Sequence, residues 1–170
     1  MYSRRSFIRS AVVLGSASLL IGVIGCSNGQ TLSNEQTSSD EQNNDVSLAS
    51  LTLTQYRTPT CGCCHQYETY LSQYGIGVDV EEVADTGLIH ERFNIPANMW
   101  SCHTSEVDGY FVEGHVPVEV IEQLLNERPD IDGIALPGMP AGSPGMGGTK
   151  TSPFVIYAIT NGEAVVYTEH

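Results

Sequence analysis

The sequence predicts one α/β domain that follows an N-terminal leader and a polar tether. Two observations predict this fold class. From Leu51 onward, the chain contains two kinds of segment in turn. In one kind, apolar and polar side chains alternate as in a strand; in the other, apolar residues recur with a helical period. Residues 27–50, in contrast, are rich in Ser, Asn, Gln, Thr and Asp and hold too few large apolar side chains to form a core. Residues 51–170 therefore have the length of one compact domain.

The domain begins with a predicted strand, helix, strand and helix. The segments are residues 51–56, a helix that starts after Thr60, residues 77–83 and residues 85–93. Thr60 is a residue type that caps helix N-termini, and Gly75 suits the left-handed position that follows a helix. The first half is thus predicted to be β-α-β-α.

A hairpin and a third helix complete this unit. Asp108-Gly109 is a dipeptide typical of two-residue hairpin turns, and it separates two short apolar segments. Pro117 suits the first position of a helix whose apolar pattern stops before Pro129. The resulting order, β-α-β-α-β-β-α, is that of thioredoxin-like folds. Two segments then follow: a loop rich in Gly, Pro and Met at residues 136–148, and a second hairpin around Asn161-Gly162 that is predicted to extend or cover the sheet.

The first 25 residues have the pattern of an export signal. Arg4-Arg5 lies in a segment typical of twin-arginine signals, and the apolar stretch that follows is too short to span a bilayer comfortably. Residues 23–26 have the form of a lipoprotein box that ends in Cys26, the predicted lipidation site. We expect a signal peptide at 1–25, a lipidated flexible tether at 26–50 and a domain at 51–170 that is membrane-anchored on the periplasmic side. A secretory signal cleaved elsewhere, or an uncleaved anchor, is the alternative.

The charge of the chain is strongly negative. It has 20 acidic and 7 basic residues, for a formal net charge of −13, and three of the arginines lie in the predicted signal. A nucleic-acid partner is therefore disfavoured, because phosphate backbones are bound by clustered Lys and Arg. Most of the acidic residues are interpreted as a solvated surface, and they are assigned no site.

A cysteine cluster lies where the first predicted helix begins. Cys61, Cys63 and Cys64 place three thiols within four residues. Cys61 and Cys64 have the C-x-x-C spacing of thiol–disulfide enzymes, but Cys63 cannot join the same disulfide. A helix N-terminus favours thiolate, which is both the nucleophile and the metal-binding form of cysteine. The cluster therefore indicates redox or soft-metal chemistry.

A second motif is predicted to face this cluster. In a thioredoxin-like arrangement, the loop that enters the third strand lies opposite the cysteine turn, and here it contains Cys102 and His103. The predicted metal ligands are Cys61, Cys63, Cys64, Cys102 and His103. Soft thiolates favour Cu(I) over Zn(II), and neighbouring cysteines fit a site with more than one copper ion better than a single tetrahedral zinc.

Other histidines and methionines are weaker candidates. His65, Met139 and Met146 are predicted as auxiliary copper ligands, although the two methionines fit a gap-filling role equally well. His115 is interpreted as a helix cap or as a support for a ligand.

Four ordered motifs resemble those of the CopG-type periplasmic copper-resistance proteins. They are TPTCGCC at 58–64, SCHT at 101–104, GYFVEGHVP at 109–117 and LPGMPAGSPGM at 136–146. The resemblance implies a thioredoxin-like fold, copper bound by the Cys-x-Cys-Cys and Cys-His sulfurs, and a role in copper homeostasis that includes interconversion of Cu(I) and Cu(II). It also implies periplasmic copper-handling or electron-transfer proteins as partners. His65 and the lipoprotein signal depart from the family pattern.

Three functional hypotheses follow from these motifs. The first is a copper-binding protein of copper resistance. The second is a thiol–disulfide oxidoreductase that uses Cys61 and Cys64, with metal incidental. The third is a copper chaperone or sponge without turnover. The sequence leaves open whether the protein is a copper or thiol oxidoreductase or not an enzyme.

Overall fold

The computed structural model describes residues 47–170, which form a mixed seven-stranded sheet with three α-helices. The strands are β1 (Thr52–Arg57), β2 (Gly77–Glu82), β3 (His103–Val107), β4 (Tyr110–Glu113), β5 (Gly133–Ala135), β6 (Val155–Thr160) and β7 (Glu163–Glu169). The α-helices are α1 (Gly62–Gln73), α2 (Gly87–Arg92) and α3 (Val118–Glu127), and short 3-10 helices span Leu48–Ser50 and Ala97–Met99. The predicted signal, Cys26 and most of the tether lie outside the described residues.

The sheet has the strand order β2-β1-β3-β4-β5-β6-β7. The β1–β2 and β4–β5 pairs are parallel, and the other four pairs are antiparallel. Up to α3, the elements follow the predicted order β-α-β-α-β-β-α. Within residues 47–170, none of the helices combines the length and apolar character that crossing a bilayer requires.

Apolar side chains pack on both faces of the sheet. On one face, Tyr67 of α1 and Leu124 of α3 join a core that includes Val112 of β4. The neighbouring Phe111 instead belongs to a second cluster with Ile95 and Met99. Successive side chains of a strand point to opposite faces, so β4 is buried from both sides and forms the centre of the fold.

Helix α1 differs from its prediction at one end and agrees at the other. Cys61, not Thr60, is the N-cap residue, and it makes no side-chain capping bond. At the C-terminus, Gly75 has φ +80°, and its N–H donates to the Ser72 carbonyl while the Ile76 N–H donates to the Leu71 carbonyl. This is a Schellman motif, and it explains why glycine follows the helix.

Both predicted hairpins are present. Asp108 and Gly109 have φ +48° and +88°, and Asn161 and Gly162 have φ +52° and +81°. Positive φ at both central residues is the geometry that suits the twist of a two-residue hairpin. The second hairpin, β6–β7, extends the sheet.

Strand β5 was not predicted from the sequence. It is three residues long, runs parallel to β4 and antiparallel to β6, and so joins the C-terminal hairpin to the rest of the sheet. A Cβ atom at Gly133 would clash with the Phe111 carbonyl oxygen, so the close approach of β5 to β4 requires glycine.

Candidate metal centre

The β1–β3 pairing brings the two cysteine motifs together. Arg57, the last residue of β1, pairs with His103, the first residue of β3. The chain that leaves β1 and the loop that enters β3 therefore meet at one edge of the sheet. Cys61 lies at the N-cap of α1, with Cys63 and Cys64 in the first turn, and Cys102 directly precedes β3.

Four sulfur atoms converge at this edge. Cys61 and Cys64 form a disulfide, whereas Cys63 and Cys102 are free. The Cys63 sulfur lies 3.6 Å from both the Cys61 and the Cys102 sulfurs, and Cys64 Sγ lies 3.7 Å from Cys102 Sγ. All four sulfurs lie within 4.8 Å of one another. The two motifs thus form one cluster, as expected from the sequence.

His103 adds an imidazole to the cluster. Its Nδ1 lies 3.4 Å from Cys102 Sγ, and its ring is fully buried beside the ring of Tyr67, at 5.0 Å between centroids. The other ring nitrogen, Nε2, is buried and has no hydrogen-bond partner among the described residues. A buried nitrogen without a partner is costly in a purely structural histidine.

His115 is a second imidazole of the cluster, whereas the sequence predicted only a helix cap or a support for a ligand. Its Nε2 lies 3.1 Å from Cys102 Sγ, and its Nδ1 lies 2.6 Å from the Pro144 carbonyl oxygen. A carbonyl only accepts hydrogen bonds, so Nδ1 carries the proton and Nε2 presents its lone pair to the sulfur. His115 lies just after β4, and the end of β4 lies beside the start of β3. This predicted hairpin was the signal that could have placed His115 near Cys102.

Cys102 is shared by two groups of donor atoms. It belongs both to the four-sulfur group and to a group formed by Cys102, His103 and His115. Tyr67 packs against the second group. Its ring contacts both imidazoles, and its hydroxyl donates to the Val116 carbonyl at 2.7 Å. The centre therefore has a sulfur-rich side and an imidazole side.

Burial sets the protonation of the metal-free centre. Burial, then the hydrogen bond and charge of Cys63, raises the pKa of Cys102 to about 12. Burial also lowers the pKa of His115 and holds the pKa of His103 well below its ordinary value, with further lowering at His103 from His115 and Arg57. At neutral pH Cys102 is thus a thiol and both imidazoles are neutral, the form in which histidine binds metals.

A buried carboxylate fixes the loop that carries Cys102. Glu113 Oε1 accepts from the Ser101 backbone N–H at 2.5 Å and lies 3.1 Å from His90 Nε2. Its Oε2 accepts from the Thr104 hydroxyl at 2.5 Å. Glu113 therefore holds the residues on both sides of Cys102-His103. Glu113 belongs to the GYFVEGHVP motif, but no local signal in the sequence predicted this role.

His65 lies outside the donor cluster. Its side chain is half exposed, and its Nδ1 lies 3.4 Å from both Arg57 Nη2 and Glu68 Oε2. The buried Arg57 guanidinium in turn donates to Glu68 at 2.7 Å. Within the described residues, the groups of candidate ligand atoms do not include His65, whose ring nitrogen instead faces Arg57 and Glu68. Its role as an auxiliary ligand stays a prediction.

The Gly/Pro/Met loop packs against α1 beside the cluster. A Cβ atom at Gly145 would lie 2.6 Å from the Tyr67 nitrogen, so the loop touches the helix backbone there. Pro144, next to it, holds His115. Met146 directly follows Gly145, and Met139 is 37% exposed with φ +49°. Their role as auxiliary ligands stays a prediction.

The donor set fits copper. Thiol sulfur and neutral imidazole are the ligands that copper prefers, and sulfur selects Cu(I). Hard oxygen ligands, which Mg²⁺ and Ca²⁺ require, do not occur in either donor group. The buried His103 Nε2 has no hydrogen-bond partner among the described residues, so no protein acceptor fixes the tautomer of this ring, and Nδ1 can present its lone pair beside Cys102.

Known proteins are similar to this chain in sequence and in fold. A family model described as "Protein of unknown function, DUF411" matches residues 99–146, and no curated protein matches the chain. Two solved structures, "Copper resistance protein copG- Form 2" and "Copper resistance protein copG- Form 1", are each 40% identical to this chain, with a TM-score of 0.65. Each alignment covers 71% of this chain, and 98% and 97% of the respective relative. At this identity and coverage, the chain belongs to the CopG family of copper resistance proteins.

Proposed function

We propose that this protein binds copper at the cluster around Cys102, as part of copper resistance. The observation that carries the proposal is the position of Cys102 Sγ: it lies within 3.7 Å of the Cys63 and Cys64 sulfurs and of one nitrogen from each of His103 and His115. The proposed ligands are the four cysteines and His103, as the sequence predicted, with His115 added. Adjacent cysteines and a shared central sulfur favour more than one Cu(I) ion per chain over a single zinc.

Interconversion of Cu(I) and Cu(II) is part of the proposal. Thiolates stabilise Cu(I), whereas imidazole also accommodates Cu(II). The centre offers both kinds of donor around one sulfur, so a change of oxidation state need not release the ion. A chaperone or sponge would use the same ligands without this change.

The copper proposal is tested by elemental analysis of the full chain. The reduced protein is loaded with Cu(I) anaerobically, and loosely held metal is removed with a competing chelator. We expect more than one copper ion per chain, and we expect Cys102→Ser to lose most of it while Cys26→Ser keeps it. If the wild-type chain retains no copper, the proposal is wrong.

A thiol–disulfide oxidoreductase is the second candidate function. It is favoured by the Cys61–Cys64 disulfide at the start of α1, the position of a redox-active C-x-x-C. Replacing both Cys63 and Cys102 by serine separates the two functions. A dithiol enzyme would keep its thiol-exchange activity in this variant, whereas the copper site would lose its ions.

The thioredoxin-like classification belongs to the same proposal. The order β1-α1-β2-α2-β3-β4-α3 and the strand order β2-β1-β3-β4 support it. In this interpretation, β5 and the β6–β7 hairpin are a C-terminal addition.

We also propose that the domain works outside the cytoplasm on a lipid anchor. The arginine pair and the lipoprotein box of the sequence support this location. Labelling cells with a radioactive fatty acid tests it: the wild-type chain should incorporate label and Cys26→Ala should not. Copper-handling or electron-transfer proteins of that compartment are the proposed partners.

A further inference from the structure

The four cysteines of the cluster are divided by their bonding. Cys61 and Cys64 are joined by a disulfide, whereas Cys63 and Cys102 are free thiols whose sulfurs lie 3.6 Å apart. Cys61 and Cys64 have Cα atoms 5.4 Å apart, within the usual range for a disulfide. Cys63 lies next to Cys64 in the chain and cannot easily pair with it. The cluster thus contains one natural redox pair and two further thiols.

The disulfide leaves a second donor set intact. Cys102 Sγ still lies 3.4 Å from His103 Nδ1 and 3.1 Å from His115 Nε2, and Cys63 Sγ remains beside it. No atom of this set is used by the Cys61–Cys64 bond. Oxidation therefore removes two ligands and keeps two sulfurs and two imidazoles.

We propose that the Cys61–Cys64 dithiol reduces Cu(II), and that Cys63, Cys102, His103 and His115 hold the Cu(I) produced. This inference rests on the proposed copper function and adds the source of the electrons. Two thiols that form a disulfide release two electrons and two protons. Two Cu(II) ions accept one electron each, and the protons pass to solvent. The Cys61–Cys64 bond is the bond formed, so the step balances without another oxidant.

The position of the pair fits this role. Both sulfurs lie within 4.8 Å of those of Cys63 and Cys102, so electrons pass to copper held at the centre without a long transfer. Soft thiolates and neutral imidazoles then stabilise Cu(I) relative to Cu(II). The free energy of Cu(I) binding thereby favours the reduction.

Renewal of the dithiol requires an external thiol reductant. Cys61 is partly exposed, whereas Cys64 is fully buried. An incoming thiolate therefore attacks Cys61 Sγ, and Cys64 leaves as thiolate. A dithiol reductant then resolves the mixed disulfide and itself becomes a disulfide. The surface presented to this reductant is the N-terminal turn of α1.

The test uses the full chain with Cys26→Ser, reduced and kept anaerobic, so that only the four clustered cysteines are counted. Copper(II) sulfate is added without any other reductant. Loss of the Cu(II) electron paramagnetic resonance signal measures reduction, and differential alkylation with peptide mass spectrometry locates the disulfide. We expect about two Cu(I) per disulfide formed, the disulfide to join Cys61 and Cys64, and Cys63 and Cys102 to remain free thiols once copper is stripped.

A Cys61→Ser, Cys64→Ser double variant provides the control. It should leave the added Cu(II) visible by resonance. Supplied directly with Cu(I), it should retain fewer ions per chain than the parent, because two sulfur ligands are gone, but it should still retain some, which shows that the second donor set is folded. A Cys63–Cys102 disulfide in the parent chain, full reduction by the double variant, or failure of the double variant to retain Cu(I) overturns the inference. In each case Cu(I) binding by the parent chain leaves the copper proposal standing. Absence of Cu(I) binding by the parent overturns both.

Discussion

The Glu113 carboxylate accepts a hydrogen bond from the backbone N–H of Ser101 at 2.5 Å, directly before Cys102 in the chain. The same side chain accepts from the Thr104 hydroxyl on the far side of Cys102-His103 and lies 3.1 Å from His90 Nε2. Glu113 is fully buried, so no water molecule can replace its carboxylate as the hydrogen-bond acceptor of these groups. One carboxylate therefore anchors the chain on both sides of Cys102-His103.

Replacing Glu113 by alanine should weaken both the fold and the copper centre. The change leaves buried donors without an acceptor, at a cost of about 1–3 kcal/mol for each group. We expect a lower free energy of unfolding in urea and fewer copper ions per chain. Glu113→Gln keeps the shape and an acceptor for Ser101, and the Thr104 hydroxyl can turn to accept from the amide. This variant should retain copper.

Tyr110→Phe is the matched control for Glu113. Tyr110 begins the same strand that Glu113 ends, and its hydroxyl donates to the Pro129 carbonyl at 2.9 Å, away from the cysteines. Its loss should lower stability without changing the copper content. If Glu113→Gln loses copper as completely as Glu113→Ala while remaining folded, the charge of Glu113 matters and not its positioning of the loop.

Gly145→Ala should weaken copper binding, although Gly145 is not one of the proposed ligands. Gly145 has φ +74°, and an added Cβ would meet the Tyr67 nitrogen at 2.6 Å. The left-handed backbone alone costs about 1–2 kcal/mol for a residue with a Cβ, so the loop should move away from α1. Pro144 would then release His115. We expect a changed His115 Nδ1 proton resonance in NMR spectra and weaker copper retention.

Gly147→Ala is the control for this change. Gly147 has a backbone without positive φ, and an added Cβ would meet nothing within 4 Å. It should leave both the His115 resonance and the copper content unchanged. Equal copper retention by the two variants would show that the Pro144–His115 contact is dispensable.

Local signals in the sequence located most elements of this fold. Asp108-Gly109 and Asn161-Gly162 specify their hairpins because few other residues adopt positive φ at both turn positions. Gly75 marked the end of α1 for the same reason. Strand β5 gave no such signal, because three residues cannot show a period. Its formation depends on pairing with β4 and β6, which are distant in the chain.

The centre was predictable in part for a similar reason. Cys61, Cys63 and Cys64 are neighbours in the sequence, and Cys102-His103 is placed opposite them by the β1–β3 pairing. His115 is placed beside Cys102 by the β3–β4 register and by a contact with Pro144, which is 29 residues away in the chain. Whether an imidazole points at a sulfur or at solvent is decided by that packing. The same holds for His65, which is adjacent to the cluster in sequence yet pairs with Arg57 and Glu68.

Acid should destabilise the metal-free protein through its buried histidines. Burial lowers the pKa of His103 and His115 in the folded state, whereas an unfolded chain titrates near the ordinary value of 6.5. Below that pH the unfolded state binds protons that the folded state does not. The free energy of unfolding should therefore fall as pH drops from about 7 to about 5, by at most about 1.4 kcal/mol per pH unit for each histidine.

Urea unfolding with a chelator present, at several pH values, measures this dependence. His103→Leu should reduce the slope, because His115 is then the only one of these two histidines that becomes exposed on unfolding. His170→Ala is the control, since His170 is a partly exposed terminal residue, and its pH dependence should match that of the wild type. An unchanged slope in His103→Leu would contradict the assignment of acid sensitivity to this residue.

The ion pairs of Arg57 should differ in energy according to their burial. The Arg57 side chain is 5% exposed, and it contacts Glu68 at 2.7 Å and Glu82 at 3.3 Å. Glu68 is 21% exposed and Glu82 is 56% exposed. Glu68→Gln removes the better-shielded countercharge of a buried cation and should cost about 1–3 kcal/mol. Glu82→Gln should cost less than about 1 kcal/mol, because water screens an exposed pair.

Urea unfolding at low and high salt distinguishes these effects. Added salt should reduce the difference between Glu82→Gln and wild type, since it screens exposed charges more than buried ones. The loss in Glu68→Gln should persist. Arg57 ends β1 directly before the segment that leads to Cys61, so a weakened Arg57–Glu68 pair should also raise amide hydrogen exchange in the first turn of α1. Equal losses of stability in the two variants would show that burial does not determine how much each ion pair contributes to the free energy of unfolding.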